Sequence, residues 1–373
     1  MMKVSIIGIK GYPHVYGGYE TLIQSIVRRF PLQQVHVTIY CHTSLFTVKP
    51  KQVNGVHLIY LPAIEKKSLS QFTHSFLSTL HACFSSADVV FYVNVANAPF
   101  GILPRLFGKK TVINVDGLEW LRPKWKGLGS VYYKTCARLV KYTFNSIITD
   151  ALEMQRIYKQ HFNTSSKVIT YGAEHAVNYS YEILSKFNLT LNEYYLVVGR
   201  MIPDNNLDFI VDEFLRARTK KKLVIIGDDV FKGDFAASIG EKIRGNASIV
   251  LTGYINDHDF LCSFYKYCFA YIHGHEFGGT NPTMIVAMNE NCLILAIDTP
   301  FTREMLNEGR CGSFFKKQFQ SLASLMMSVE KDLSQDQWNS YANSGKLRVQ
   351  EHYNWDIIAQ QYLKVFQELA LKH

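Results

Sequence analysis

The sequence predicts an α/β protein built from two doubly wound, Rossmann-like domains. Apolar strand-like runs alternate with helical runs through the first half of the 373 residues, which is the βαβ pattern of a parallel sheet. The alternation starts again near residue 195, after a polar and irregular segment. We therefore expect a first domain (1–174), a linker (175–193), a second domain (194–350), and a C-terminal helix (351–373) packing back toward the first domain. Two such domains in tandem place a cleft between the carboxyl edges of their sheets.

The predicted elements of the first domain are short apolar runs, read as strands, and longer amphipathic runs, read as helices. Its strands are Val4–Gly8, Val35–Cys41, Val56–Leu61, Val89–Val95, Thr111–Val115 and Ser146–Thr149. Its helices are Gly18–Phe30, Ser68–Ser85 and Gly129–Phe144.

In the second domain the predicted strands are Tyr195–Gly199, Leu223–Gly227, Ile249–Thr252, Cys268–Ile272 and Cys292–Ile297. One helix covers Leu207–Arg218, another starts near Pro282, and a long C-terminal helix runs from about Trp355 to Leu371.

Composition narrows the class of protein without naming a function. A net charge of +9 suits an anionic substrate, an anionic membrane surface or nucleic acid, and does not choose among them. The seven cysteines occur singly, which argues against a disulfide framework or a structural zinc and fits a reducing compartment. No run approaches the roughly 20 apolar residues of a membrane span, and the N-terminus lacks a signal-peptide pattern. We expect a cytoplasmic protein.

The loops of the second domain combine a helix start with an arginine. Gly279, Thr280 and Asn281 follow Gly278 and precede Pro282, which suits the first turn of a helix. Backbone N–H groups that converge there form an anion cradle suited to a diphosphate, although the same residues also suit a plain strand-to-helix turn.

Arg200 follows another strand end in this domain, where a guanidinium could bind phosphate bidentately or simply face solvent. Asn205 and Asn206 come next and could cap the following helix or touch the same phosphate.

The loops of the first domain offer glycines and an acid. Gly17 and Gly18 precede a helix and allow a ligand close to the backbone, or only a tight turn. The loop is not GxGxxG and no acid ends the second strand, so a nicotinamide dinucleotide site is disfavoured. Asp116 ends a buried strand, where it could accept a sugar hydroxyl or stabilise positive charge, or serve as a turn residue beside Gly117.

Two possible metal motifs are better explained without a metal. The Asp257–Asp259 string (DHD) opens a helical stretch, where carboxylates favour the helix start. His273 and His275 share a strand face, but the sequence offers no third ligand. We therefore expect no metal.

Residues 120–142 interleave aromatic and basic side chains with no acidic residue. That composition suits the interface of an anionic bilayer. RNA would attract a similar stretch, but no RNA-binding module signature is present, and an ordinary solvated helix face stays open as the third interpretation.

Taken in order, these loops resemble a GT-B glycosyltransferase of the large retaining family four, and more closely its bacterial β-1,4-rhamnosyltransferase-like subgroup of polysaccharide biosynthesis. The resemblance extends from residue 3 to about residue 370. The stretches that carry it are Gly11–Thr21, Asn114–Trp120, Gly199–Asn206, His273–His275, Gly278–Pro282 and Pro300–Glu304.

The resemblance implies a role for each candidate residue. Arg200 would bind the donor diphosphate and act in catalysis with Asp116, which lies over the donor sugar. The other donor-binding positions would be Gly17, Gly18, Asn205, Gly279, Thr280 and Asn281. Tyr16, Asn94 and Glu119 are expected on the acceptor side. The sequence departs from the pattern at Val286, where the subgroup keeps a ribose-binding glutamate.

The expected activity is retaining transfer of a sugar, L-rhamnose from dTDP-rhamnose, onto a polyprenyl-diphosphate-linked glycan in capsule, O-antigen or cell-wall synthesis. It would need no metal and no cofactor besides the nucleotide sugar, and it would not involve nucleic acid. The protein would lie at the inner face of the cell membrane, held by residues 120–142. The alternatives are a non-catalytic scaffold of a polysaccharide-synthesis complex, favoured by Val286, and a nucleotide-sugar epimerase.

Overall fold

The chain forms two compact units. The computed structural model describes residues 1–13, 17–66, 69–122, 125, 127–227 and 234–371. The first unit comprises Met1–Tyr171 together with Asn354–His373, and the second comprises Gly172–Tyr353. No helix among the described residues is both long enough and apolar enough to span a membrane.

The first unit is an eight-stranded sheet with helices. Its strands are β1 (Met2–Ile7), β2 (Val35–His42), β3 (Gln52–Val53), β4 (Val56–Leu61), β5 (Val89–Val93), β6 (Lys110–Val115), β7 (Ser146–Thr149) and β8 (Lys167–Val168). Its helices are α1 (Gly18–Val27), α2 (Ser70–Phe84), α3 (Ile102–Leu106), α4 (Leu128–Thr143), α5 (Leu152–Phe162) and the C-terminal helix α14 (Trp355–Ala370).

Strand order in this sheet is β3-β4-β2-β1-β5-β6-β7-β8, and every neighbouring pair is parallel except β3 with β4. The chain moves outward in one direction from β1 and then in the other from β5. The order therefore reverses between these two strands, and the loops that follow them flank a topological switch point.

Helix α14 completes the core of the first unit. It packs on α1, β1, β5 and β6. The Phe366 ring meets Phe30 edge-on at 6.2 Å, and Asn114 Nδ2 donates to the Tyr362 hydroxyl at 2.5 Å. The last twenty residues therefore belong to the first unit although the second unit separates them from it in sequence.

The second unit is an all-parallel, six-stranded sheet with strand order β11-β10-β9-β12-β13-β14. Its strands are β9 (Tyr194–Val198), β10 (Lys222–Ile226), β11 (Ile249–Gly253), β12 (Ala270–His273), β13 (Ile294–Ile297) and β14 (Ser313–Phe315). Its helices are α6 (Glu182–Ser185), α7 (Leu207–Ala217), α8 (Asp234–Ile243), α9 (His258–Tyr267), α10 (Pro282–Asn289), α11 (Pro300–Met305), α12 (Ser321–Asp332) and α13 (Gln335–His352). The order reverses between β9 and β12, so the loops after these strands lie at its switch point.

The sequence predicted an irregular segment at 175–193. The segment instead contains α6, and it hydrogen-bonds to the rest of the second unit. The carboxylate of Asp259 accepts the N–H groups of Val177 and Asn178 at 3.1 and 3.0 Å. The Tyr179 hydroxyl donates to the buried carboxylate of Glu290 at 2.7 Å. These bonds attach the segment to α9 and the end of α10.

Candidate active site

The glycine loop before α1 is closed by an acidic side chain. One Oε atom of Glu20 accepts the Lys10 N–H at 2.9 Å, and a Cβ added to Gly17 would lie 1.9 Å from the other. A side chain at Gly17 would displace the Glu20 carboxylate, whereas a Cβ at Gly18 would meet no atom within 4 Å. Burial raises the pKa of Glu20. Of the two glycines expected at the donor diphosphate, only Gly18 presents open space.

Asp116 follows β6 and is held by two tyrosines that the sequence analysis had not singled out. Tyr19 on α1 donates its hydroxyl to Oδ1, and the Tyr171 hydroxyl donates to Oδ2 at 2.8 Å. Burial raises the pKa of Asp116, and the two hydrogen bonds oppose that rise. The carboxylate is partly exposed and has a fixed orientation at the carboxyl edge of the sheet.

The other first-unit candidates have local partners. Glu119 forms an ion pair with Arg122 at 3.1 Å and accepts the indole N–H of Trp125 at 2.9 Å. Asn94 has a positive φ of 73° and accepts the Ala96 N–H at 2.9 Å, which caps a short 3-10 helix at the end of β5. The first arrangement fixes the loop after β6, and the second fixes the loop after β5 at the switch point. Tyr16 lies outside the described residues.

In the second unit Arg200 follows β9 with its side chain exposed. Its carbonyl accepts Nδ2 of Asn205 at 2.7 Å, and Oδ1 of Asn205 accepts the Nδ1–H of His275 at 2.8 Å. A Cβ added to Gly274 would lie 2.4 Å from the Asn205 carbonyl oxygen, so the glycine permits the two loops to touch. The loops after β9 and β12 therefore form one hydrogen-bonded platform that presents Arg200.

Of the two roles left open for Asn205 and Asn206, side-chain capping of α7 is contradicted and phosphate contact stays a prediction. Neither side chain caps α7; Asn206 instead donates to the Gly274 carbonyl at 2.8 Å and to Glu276 at 3.2 Å. A backbone in the left-handed conformation, with φ 52°, turns the Asn206 side chain away from the start of α7. By contrast, Asp257 accepts the Phe260 N–H at 2.9 Å, which confirms the helix-start interpretation of the DHD string.

The cradle before α10 is partly filled by protein groups. Asn281 accepts the Thr283 N–H at 3.0 Å as the helix cap, and its own N–H donates to Sδ of Met305 at 3.3 Å. The expectation that the Asn281 N–H is free for a diphosphate is therefore wrong. Gly279 and Thr280 lie buried immediately before the helix start, where the positive end of the helix dipole favours an anion.

A chain of hydrogen bonds links strand β12 to the first turn of α10. The Tyr271 hydroxyl bonds the Thr283 hydroxyl at 2.9 Å and Nδ1 of His273 at 3.0 Å. Burial lowers the pKa of His273 to about 3, so its ring is neutral at physiological pH. His273 is thus a member of this hydrogen-bond chain. Within the described part of the chain, no group of three or more metal-ligating side chains is found.

Val286, where the subgroup carries a glutamate, lies half-buried on α10. The nearest acids in sequence do not replace that carboxylate. Glu276 pairs with Lys317 at 3.2 Å, and buried Glu290 accepts from Tyr179 and Asn289. Each of these acids is thus engaged with protein groups.

Comparison with known proteins establishes the fold. Sucrose-phosphate synthase from Thermosynechococcus elongatus superposes with a TM-score of 0.83 at 14% identity, covering 99% of both chains. HepE from Anabaena in complex with UDP-glucose gives 0.75 at 15% identity, covering 99% of this chain and 100% of HepE. A glycosyltransferase from Rickettsia africae gives 0.76 at 13% identity, covering 100% and 99%. The fold class is confirmed as that of GT-B glycosyltransferases.

Sequence comparison gives a family match over part of the chain. Residues 89–174 match a family described as a domain of unknown function (DUF1972). That range includes Asn94, Asp116 and Glu119. A search of curated sequences gave no significant match.

Proposed function

We propose that the protein is a glycosyltransferase that uses a nucleotide-sugar donor. The observation that carries this proposal is the platform at the switch point of the second unit, where exposed Arg200 stands on loops locked together through Asn205, His275 and Gly274. The start of α10 follows the second of these loops. A guanidinium and a helix N-terminus are the groups that bind a diphosphate. The fold shared with UDP-glucose-bound HepE supports the assignment.

The chemical step in this proposal is retaining transfer through an oxocarbenium-like transition state. The departing diphosphate is stabilised by Arg200 and by the dipole of α10, and these charges perform the task that a metal ion would otherwise perform. Asp116, oriented by Tyr19 and Tyr171, stabilises positive charge on the sugar or accepts one of its hydroxyls.

We further propose L-rhamnose from dTDP-rhamnose as the donor and a polyprenyl-diphosphate-linked glycan as the acceptor, with the protein peripheral at the cytoplasmic face of the membrane. This choice follows from the resemblance of the loops to the rhamnosyltransferase-like subgroup. Glu119 and Asn94 would shape the acceptor side.

The test is calorimetric titration of the protein with dTDP, UDP, GDP and dTDP-rhamnose. We expect selective binding of the dTDP ligands, since that is the donor class proposed. The Val286→Glu variant is titrated in parallel because it restores the carboxylate that binds ribose in the subgroup. Met327→Glu, at an exposed position of α12, is the control for adding a carboxylate elsewhere in the second unit; Met284 on α10 is fully buried and cannot serve.

One observation favours a second candidate, a non-catalytic scaffold, and it is again Val286. If no nucleotide binds the wild type and Val286→Glu alone restores binding, the donor site has decayed and the scaffold is the better assignment. Selective binding of UDP or GDP instead would refute the rhamnose donor while keeping the transferase.

A further inference from the structure

Helix α2 has its amphipathicity reversed. Its buried side chains are mostly small or polar, namely His74, Ser75, Ser78, Thr79, Ala82 and Cys83. Its exposed side chains are apolar, namely Phe72, Phe76, Leu77, Leu80 and Phe84. Spacings of about four residues put the exposed set on one helix face. A surface helix normally buries its apolar stripe, so the exposed apolar face of α2 would be stabilised by contact with an apolar environment.

The apolar surface continues onto α3. The ring of Phe84, which is 78% exposed, lies 5.0 Å from the ring of Phe107, and Leu106 beside it is 74% exposed. At the other end, Phe72 meets Phe100 at 4.9 Å. We call the set Phe72, Phe76, Leu80, Phe84, Leu106 and Phe107 the apolar face.

The charged side chains on α3 and α4 are all basic, and the acids nearest to α2 in sequence are Glu65 and Asp88, one beyond each end of the helix. Residues 66–87, 89–115 and 120–149 contain no aspartate or glutamate. Helix α4 exposes Lys134 and Arg138 one turn apart. The guanidinium of Arg105 on α3 donates to the Tyr142 carbonyl at 2.5 Å and so joins α3 to α4.

Some aromatic side chains of 120–142 pack against other rings, whereas Leu121, Leu128, Val131 and Tyr142 are exposed. Trp120 packs edge-on against Phe162 at 5.4 Å, and Trp125 packs against Tyr133 at 4.8 Å. Tyr133 itself is 8% exposed. The stretch therefore contributes charge together with these exposed side chains, and α2 and α3 add an apolar face that the sequence did not indicate.

We propose that the apolar face inserts into the interface of an anionic bilayer, with the cations of α4 on the headgroups. An apolar helix face accompanied by neighbouring segments whose charged side chains are all basic matches the charge and polarity of that interface. The inference rests on the proposed function in taking the acceptor as lipid-linked. Helix α2 follows β4 and so starts at the carboxyl edge of its sheet, where Asp116 also lies.

The experiment is flotation of the protein, without nucleotide, with vesicles of phosphatidylcholine alone or mixed with phosphatidylglycerol. The wild type is expected to float with the mixed vesicles and to be released by high salt. Phe76→Ser with Phe84→Ser should lower partitioning about tenfold or more, because two apolar anchors are lost. Lys134→Gln with Arg138→Gln should remove the preference for phosphatidylglycerol.

The matched control is Met327→Ser with Leu347→Ser on the second unit, whose side chains are 51% and 55% exposed. It should float like the wild type. Should the double variant of α2 misfold, Phe84→Ser alone serves, since that ring is mostly in solvent.

Three results would overturn the inference. The first is a wild type that binds neither vesicle type, and the second is an apolar-face variant that floats like the wild type. The third is a wild type that sediments as a dimer while the apolar-face variant sediments as a monomer, since a second copy would then cover the face. Nucleotide titration of the same samples tests the proposed function separately, because flotation is measured without nucleotide.

Discussion

At the scale of single residues, Arg200 carries the clearest prediction. Its charge faces solvent on a platform whose bonds do not involve the guanidinium. Arg200→Ala should therefore fold normally and lower kcat by about 10²-fold or more, by analogy with the loss of one oxyanion-hole donor. Turnover of sugar donor measures the effect. Arg310→Ala, an exposed arginine at the opposite edge of the same sheet, is the control.

Asp116 and Tyr171 give a second prediction. Because the Tyr171 hydroxyl lowers the pKa of Asp116 against the effect of burial, Tyr171→Phe should raise that pKa further. The acidic limb of the pH–kcat profile should then move to higher pH, since the carboxylate is protonated over a wider range. Tyr19→Phe should act in the same direction. An unchanged limb in both variants would remove Asp116 from the mechanism.

Buried His74 predicts a pH dependence of stability. It stacks on His42 at 3.8 Å, and burial lowers its pKa to about 4. The folded pKa lies below the unfolded value near 6.5, so stability is complete above that value and is lost as pH falls from about 6.5 to 4. The loss reaches about 3 kcal/mol at pH 4 for this group. Urea unfolding at several pH values measures it, and His74→Gln should flatten the slope.

At the residue scale the sequence identified positions better than partners. Asp116, Arg200 and Asn205 could be proposed from the sequence because each lies close behind a strand end, and their roles stay predictions. Tyr171 could not be found, because its contact with Asp116 spans 55 residues and leaves no local pattern. The contact between Gly17 and Glu20 could not be found from the sequence for a similar reason, and the donor-binding role of Gly17 stays a prediction.

At the scale of elements, Glu213 joins α7 to α12. Its fully buried carboxylate accepts the N–H groups of Gln320, Leu322 and Ala323 at 3.0 to 3.1 Å. Glu213→Ala leaves those N–H groups unpaired at a buried helix start, so we expect a loss of about 3 kcal/mol in the free energy of unfolding. Asp212→Ala, whose side chain is 41% exposed, should cost less than about 1 kcal/mol. Urea unfolding of both variants provides the comparison.

The elements themselves were largely predictable where apolar runs were long. Strands β4 and β7 have the predicted bounds, and α14 differs from its predicted end by one residue. Helix α5 and strands β8 and β14 were not among the elements predicted from the sequence. β8 and β14 have two and three residues, too few to show a period, and β14 is defined by its pairing with β13.

At the scale of the whole molecule, the first unit is discontinuous. A fragment of residues 1–171 would lack α14 and would expose the surfaces that Phe366 and Tyr362 cover. We expect this fragment to be aggregation-prone and to bind a hydrophobic dye, and a fusion of 1–171 to 354–373 to fold cooperatively. The continuous fragment 172–353 should fold alone. Circular dichroism with thermal unfolding distinguishes these outcomes, and a stable 1–171 fragment would contradict the assignment.

The two-domain organisation was visible in the sequence because βαβ alternation starts twice. The boundaries expected at 174 and 350 lie close to the divisions at 171 and 353, where the chain passes between the units. Periodicity could not indicate which side of α2 faces the core. Its buried face is polar, so an apolar stripe predicts the opposite orientation.

The polar inner face of α2 also has a consequence for dynamics. The helix gains little hydrophobic free energy from packing, and the Ser78 hydroxyl is buried without a hydrogen-bond partner among the described residues. Helix α14, by contrast, buries Tyr362 and Phe366. Local opening should therefore be easier at α2 than at α14, and the backbone amides of α2 should exchange with deuterium well before those of α14. The helix that we propose to insert into the bilayer is therefore also a helix that little apolar packing holds to its own unit.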